Sequence, residues 1–172
     1  MDATIYDKVQ FLNQRQYEWH GVEVPHFFVQ NAHEDLKPKT EKKKKVACFI
    51  GNVDRNKQVH KSIDRAFKDG HDEFRIYGRV HDPMYFNESV APLVLSNKDK
   101  VKMMGFVMDR QSIYDEVTDV YLDSLSENAS RVRDECTLTN VNFHGNDNAP
   151  FQELQTNEEI LSIWKKELDL DV

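Results

Sequence analysis

Residues 46–78, "VACFIGNVDRNKQVHKSIDRAFKDGHDEFRIYG", contain the clearest indication of the fold class. The stretch begins with a continuous apolar run that ends at Gly51, which is typical of a strand buried on both faces. Apolar residues then recur at helical spacing from Val59 to Phe67, and Gly70 provides a stop signal. "EFRIYG" is a second strand of the same kind. The pattern therefore predicts two parallel strands joined by a helix.

The same alternation continues to the end of the chain. Further strands are predicted in "KVKMMGFV" (100–107), "TDVYLDS" (118–124) and "VNFHG" (141–145). Helices are predicted in "DPMYFNESVAPLVLSN", where Pro92 bends or ends the helix, in "DRQSIYDEV", in "ENASRVRDECTLT" and in "TNEEILSIWKKEL". The fold class is therefore α/β, with a parallel sheet and helices on both faces.

Residues 1 to about 45 are less regular. "DKVQFLNQRQYEWHG" (7–21) predicts a short strand and a helical turn, and "HFFVQN" (26–31) predicts another strand. The polar segment "EDLKPKTEKKKK" (34–45) is predicted to be a connector. We interpret its run Lys42, Lys43, Lys44 and Lys45 as a solvated linker, and a patch for anionic lipid or an acidic partner is the alternative.

Composition narrows the class of protein. A formal net charge of -7 on 172 residues argues against a general nucleic-acid binder. No apolar run reaches the roughly 20 residues of a membrane helix, and the first residues lack the pattern of a signal peptide. We therefore expect a soluble, cytoplasmic protein. Cys48 and Cys136 form no CxxC pattern and are expected to be buried apolar residues rather than zinc ligands or a disulfide.

Candidate site residues follow the predicted strands, because ligands of open α/β sheets bind at the carboxyl ends of the strands. Gly51 permits close approach of the backbone, and Lys57 starts the next helix. After the strand "TDVYLDS", a helix is predicted to start near Asn128. Its free N–H groups and the positive end of its dipole would point at a phosphate. Glu127 lies at the N-terminus of this helix, and Glu135 lies two turns later. Their carboxylates would accept hydrogen bonds from hydroxyl groups, such as those of a sugar and a ribose. A nucleotide sugar fits this set.

Each of these residues also has an ordinary structural interpretation. Glutamate is common at helix N-termini because it suits the dipole, so Glu127 alone proves little. Glu135 could simply face solvent, and Lys57 could be a surface lysine. The three residues gain meaning only as a set.

The ordered segments "FIGNVDRNK", "FRIYG", "VKMMGFV" and "DVYLDSLSE", followed by Glu135, resemble the C-terminal half of GT-B retaining glycosyltransferases, especially family 4. The resemblance covers about residues 46–168. It implies a Rossmann-like three-layer domain. It also implies that residues 1–45 are a remnant of an N-terminal domain with its linker, and that residues 46–172 bind a nucleoside-diphosphate sugar.

The resemblance implies a role for each matching residue. Lys57 would hold the diphosphate, Glu127 would contact the hydroxyls of the donor sugar, and Glu135 would contact the ribose. The remaining binding residues implied are Gly51, Asn52, Phe106, Val107, Asn128, Ala129 and Ser130. Asn52 stands where the family usually has arginine, so one cation for the diphosphate is missing unless Arg55 or Arg79 substitutes. No metal and no other cofactor is expected.

A complete enzyme of this family also has an acceptor-binding domain. The resemblance therefore implies either the donor half of a longer enzyme or a small protein that works with a separate acceptor-binding domain or subunit, with little or no transfer activity by itself. The alternative is a degenerate α/β binding or scaffold module that has lost the chemistry. Asn52 favours this alternative, and the Glu127/Glu135 pair opposes it.

Overall fold

The computed structural model describes residues 8–21, 23–38, 45–127, 130–146 and 153–169. The chain divides into two compact units. The terminal unit comprises residues 1–34, 128–131 and 149–172, and the sheet unit comprises residues 35–127 and 132–148. The domain boundary proposed at residue 45 stays a prediction. Of the lysine run, Lys42, Lys43 and Lys44 lie outside the described residues, and Lys45 is exposed.

The terminal unit contains a small parallel sheet, β1 (Val9–Phe11) with β2 (His26–Phe28). Helix α1 (Gln14–His20) lies between the two strands in sequence and ends at Gly21 in the left-handed conformation. This order of strand, helix, glycine and strand confirms the sequence-based prediction.

The C-terminal helix completes the terminal unit. Its buried core joins Phe27 and Val29 to Ile160. The side chains of Gln30 and Gln155 each accept the other residue's backbone N–H at 3.0 Å. These contacts tie the segment after β2 to the segment before the helix.

The sheet unit contains five parallel strands in the order β5-β4-β3-β6-β7. Their bounds are β3 (Ala47–Ile50), β4 (Phe74–Tyr77), β5 (Val101–Gly105), β6 (Asp119–Leu122) and β7 (Asn142–Gly145). All five were predicted from the apolar runs. Every residue of β3 and of β6 is buried, as expected for central strands covered on both faces.

Helices cover the two faces of this sheet. Ala47 and Phe49 of β3 belong to one core cluster, whereas Cys48 and Ile50 belong to the other. The alternation follows from the period of two in a strand, which directs successive side chains to opposite faces. Both clusters are buried, so the predicted three-layer α/β fold is confirmed. Cys48 and Cys136 are buried free thiols, as predicted.

The helices that follow these strands are α2 (Val59–Lys68), α3 (Pro83–Tyr85), α4 (Ala91–Ser96), α5 (Arg110–Glu116) and α6 (Arg131–Thr139), of which only Arg131 belongs to the terminal unit. A π-helical turn, Phe86–Val90, joins α3 to α4, and in it the Ala91 N–H donates to the Phe86 carbonyl. The wider turn comes immediately before Pro92, which has no N–H to continue a regular ladder. The predicted disturbance at Pro92 is thus present.

Two further sequence-based predictions concern helix ends. Asn140 follows α6 with φ of 54°, which confirms the predicted left-handed cap. The start of that helix was predicted near Asn128, which lies outside the described residues, and regular helix is described from Arg131. The last helix, α7 (Asn157–Glu167) of the terminal unit, begins with the predicted capping box of Thr156 and Glu159. No helix in the described part of the chain is long and apolar enough to cross a membrane.

Candidate functional site

The strand order places a crevice between β3 and β6. From β3 the chain continues to β4 and β5 on one side, and then returns to place β6 and β7 on the other side. Loops leave β3 and β6 in opposite directions at this point, and a ligand site of a doubly wound sheet lies there. The loop after β3 contains Lys57, and the loop after β6 contains Glu127.

Close backbone packing holds the loops at this end of the sheet. The Gly51 N–H donates to the Tyr77 carbonyl at 2.9 Å, and the Gly78 N–H donates to the Gly105 carbonyl at 2.8 Å. Gly51 has φ of 151° and Gly78 has φ of 145°, and a Cβ at Gly78 would overlap the Gly51 carbonyl oxygen. Glycine is therefore required at residue 78 for two reasons, its conformation and its lack of a side chain.

Lys57 Nζ and Glu127 Oε1 form an ion pair that joins the loop after β3 to the loop after β6. Both side chains are largely enclosed, with 23% of Lys57 and 13% of Glu127 exposed. The buried Ser124 hydroxyl donates to the same Oε1 at 2.9 Å. Among the described residues, no hydrogen bond reaches Glu127 Oε2. Within the part of the chain that the structure describes, one carboxylate oxygen and two of the three ammonium hydrogens thus remain for a ligand.

Glu135 lies in a separate network. Its side chain is fully buried on α6, Oε2 pairs with the Arg110 guanidinium, and the Tyr114 hydroxyl donates to Oε2 at 2.6 Å. Burial raises the pKa of Tyr114, so its hydroxyl remains a donor. Burial opposes the charge of Arg110, but the carboxylate of Glu135 raises the Arg110 pKa overall. The structure thus places Glu127 and Glu135 with different partners.

The other predicted binding residues of the sheet unit have varied positions. Asn52 is exposed, and Val107 is half-buried against the core. Phe106 is 58% exposed, and the Arg79 guanidinium carbon lies 4.6 Å from its ring centroid. Arg55 makes surface contacts instead, 3.5 Å from Glu88 and 4.0 Å from Asp82.

Asn128 and Ala129 lie outside the described residues, and Ser130 is buried in the terminal unit. The phosphate seat predicted at these three residues stays a prediction.

Four polar residues near these charges were given no individual role from the sequence: Ser124, Asn56, Arg110 and Tyr114. Three of them follow a strand end, which is the signal that singled out Lys57 and Glu127. Tyr114 lies on the buried face of α5 and gave no such signal.

No family model matches the sequence, and the comparison with curated proteins also found no match. Similar solved structures exist. A S. aureus TarM mutant in complex with Fondaparinux, alpha-GlcNAc-glycerol and UDP has a TM-score of 0.70 and 17% identity, over 98% of this chain and 38% of that one. The pneumococcal O-GlcNAc transferase GtfA in complex with UDP and GlcNAc has a TM-score of 0.67 and 14% identity, over 96% and 37%.

A shorter structure matches over most of both chains. The C-terminal domain of a glycosyl transferase group 1 family protein, LpcC from Francisella tularensis, has a TM-score of 0.57 and 14% identity. The match covers 79% of this chain and 84% of that one. The chain therefore spans most of this isolated domain but less than half of TarM or GtfA. At these identities the likeness shows the fold, which is the Rossmann-like fold of the C-terminal domain of GT-B glycosyltransferases.

Proposed function

We propose that this chain is the donor-binding half of a retaining, family 4-like glycosyltransferase and that it binds a nucleoside-diphosphate sugar at the crevice between β3 and β6. The observation that carries the proposal is the Lys57–Glu127 pair at the point where the strand order reverses. Fold similarity to glycosyltransferases solved with UDP supports UDP as the first nucleotide to test.

Each member of the pair has a chemical role in this proposal. Lys57 retains ammonium hydrogens that can donate to the diphosphate, and a charge-assisted contact of this kind would stabilise the departing diphosphate during transfer. Glu127 Oε2 can accept a hydroxyl of the donor sugar, while Oε1 stays bonded to Lys57 and Ser124. The pair thus places a cation and a hydroxyl acceptor side by side, as a sugar phosphate requires.

The ribose contact proposed for Glu135 requires a rearrangement. In the structure this carboxylate is enclosed and bonded by Arg110 and Tyr114. The Arg110 side chain is 23% exposed, and its movement away from Glu135 would open a path to the carboxylate. In this proposal, a ribose hydroxyl takes the place of the Arg110 hydrogen bond when the donor binds.

Transfer itself needs groups that recognise the acceptor. We propose that these lie in a separate acceptor-binding domain or subunit, because this chain matches less than half of TarM and GtfA. The chain alone is then expected to bind donor and to show little or no transfer.

Isothermal calorimetry with UDP, GDP and their sugars tests the proposal. We expect binding of at least one of them, and Lys57→Met should weaken it more than about tenfold, because a charged contact is lost. Lys61→Met, on the exposed side of α2, is the matched control and should change affinity less than twofold. If the Lys57→Met variant bound with the same affinity as the parent protein, the diphosphate would not contact Lys57.

A second candidate is a degenerate binding or scaffold module. The enclosure of Glu135 by Arg110 and the presence of Asn52 favour it, because both reduce the groups available to a nucleotide sugar. This candidate predicts no heat with any nucleotide or nucleotide sugar, so the same calorimetric series distinguishes the two.

A further inference from the structure

Asn56 joins the loop after β3 to the loop after β6. Its backbone carbonyl accepts the Leu125 N–H at 2.8 Å. Its side-chain oxygen accepts the Ser126 N–H, and its side-chain nitrogen donates to the Ser126 carbonyl, each at 3.2 Å. We call these three hydrogen bonds the Asn56 clamp. They link two segments that lie 70 residues apart in sequence.

The clamp lies one residue before each member of the ion pair. Asn56 precedes Lys57, and Ser126 precedes Glu127. A side-chain amide that both donates to and accepts from the same residue fixes the two backbones in one register. The position of the Lys57 backbone relative to the Glu127 backbone is therefore set at the adjacent residues.

A lysine needs such support for a defined position. Its side chain is a flexible four-carbon stem with a compact charge, so a defined location for Nζ requires a fixed backbone and a fixed partner. The backbone at Lys57 is also held by Asp54, whose side-chain oxygen accepts the Lys57 N–H at 3.0 Å. Asp54 orders the loop internally, whereas Asn56 connects it to the loop that contains Glu127.

We propose that Asn56 is a positioning residue of the donor site: it aligns Lys57 with Glu127, and through that alignment it prepares the site for the diphosphate and the adjacent sugar hydroxyl. The proposal rests on the proposed function for its ligand but not for the alignment itself. If Asn56 had only a structural role, its replacement would change ligand affinity by the same factor whether or not Lys57 is present. A positioning residue would act on the ligand through Lys57.

The first experiment needs no ligand. The coupling between Lys57 and Glu127 is measured from the unfolding midpoints of Lys57→Met, Glu127→Gln and the double variant. We expect a coupling in the parent protein that falls to within error in the Asn56→Ala background. Asn97→Ala also removes a side-chain amide bonded to backbone, at 2.9 Å from the Leu93 carbonyl, and should leave the coupling unchanged. An unchanged coupling in the Asn56→Ala background would overturn the proposal.

The second experiment is UDP and GDP calorimetry on the same variants. We expect Asn56→Ala to weaken binding about tenfold when Lys57 is present and less than twofold in the Lys57→Met background. An equal loss in both backgrounds would show that Asn56 acts independently of Lys57 and would overturn the proposal. If the parent binds none of UDP, GDP and their sugars, the proposed function fails, while the ligand-free coupling still decides whether Asn56 aligns the pair.

Discussion

The guanidinium of Arg110 and the hydroxyl of Tyr114 meet at one oxygen of Glu135, so a carboxylate from α6 is held by two residues of α5. Glu135 is fully buried, and a buried carboxylate is tolerated only when it is paired and hydrogen-bonded. The network connects the helix after β5 to the helix after β6. It therefore contributes to the stability of the sheet unit.

Removal of Arg110 should be strongly destabilising. In Arg110→Met the buried charge of Glu135 loses the Arg110 guanidinium. We expect the free energy of unfolding to fall by about 2–3 kcal/mol. This is less than the roughly 3–5 kcal/mol of fully enclosed pairs, because Arg110 is partly exposed. Urea unfolding measures the loss. Arg55→Met removes an arginine that is 63% exposed and should cost less than about 1 kcal/mol. Equal losses in the two variants would contradict the structural role of the buried pair.

Gly78→Ala should prevent normal packing of the loops at the carboxyl ends of the strands. The new Cβ would overlap the Gly51 carbonyl oxygen, and backbone atoms cannot move aside as a flexible side chain can. We expect a loss of more than about 3 kcal/mol or failure to fold, measured by thermal unfolding. Gly70→Ala introduces the same change at a left-handed glycine with open space around it, and should cost only about 1–2 kcal/mol. A smaller loss of stability in Gly78→Ala than in Gly70→Ala would show that Gly78 and Gly51 are not in close contact.

Acid stability should depend on Asp119 at the start of β6. Burial alone would raise the pKa of Asp119, but hydrogen bonds from Thr118, His144 and Asn142, with the charge of nearby His71, lower it overall. A carboxyl group with a lowered folded pKa stabilises the fold above its unfolded pKa of about 3.9, and this contribution is lost as pH falls through the folded value. Below about pH 4, the free energy of unfolding should therefore depend less on pH in Asp119→Asn than in the parent protein.

Asp99→Asn is the control for the Asp119 prediction, since Asp99 is exposed. Urea midpoints between pH 2 and pH 6 provide the comparison. The interpretation fails if Asp119→Asn and the parent protein lose stability in parallel across this range.

The N-terminus of α7 should depend on its capping box. In Thr156→Ala the Glu159 N–H loses the Thr156 hydroxyl, at 3.2 Å, and we expect a cost of about 1 kcal/mol in the terminal unit. Ser162→Ala, at an exposed position within the same helix, should be neutral or slightly stabilising because alanine favours helix. Amide hydrogen exchange in α7 measures both. Unchanged exchange in Thr156→Ala would show that packing alone maintains the first turn.

Local sequence signals predicted most of the elements of the fold. Five strands appeared as apolar runs that end near glycine or polar residues, and glycine, Asn140 and Thr156 marked helix ends. The start of α6 was predicted near Asn128, and the structure has regular helix from Arg131. Asparagine and serine both favour a helix N-cap, so the sequence does not distinguish Asn128 from Ser130 as the residue before the helix.

The site was predictable only in part. Position after a strand end identified Lys57 and Glu127, because parallel strands bring their carboxyl ends to one edge. Their direct pairing was not predictable, since it joins residues 70 positions apart through the flexible side chain of Lys57. The partners of Glu135 were likewise hidden, because Tyr114 reads as an ordinary core residue of an amphipathic helix.

Local sequence patterns were sufficient for the order of strands and helices, and with it the parallel sheet, because hydrophobic periodicity and glycine positions act over a few residues. The pairing of charges, Lys57 with Glu127 and Arg110 with Glu135, became visible only in the folded chain. The physical reason is that a side chain's partner depends on strand order, loop register and the burial that packing imposes. None of these is a property of the neighbouring residues in sequence.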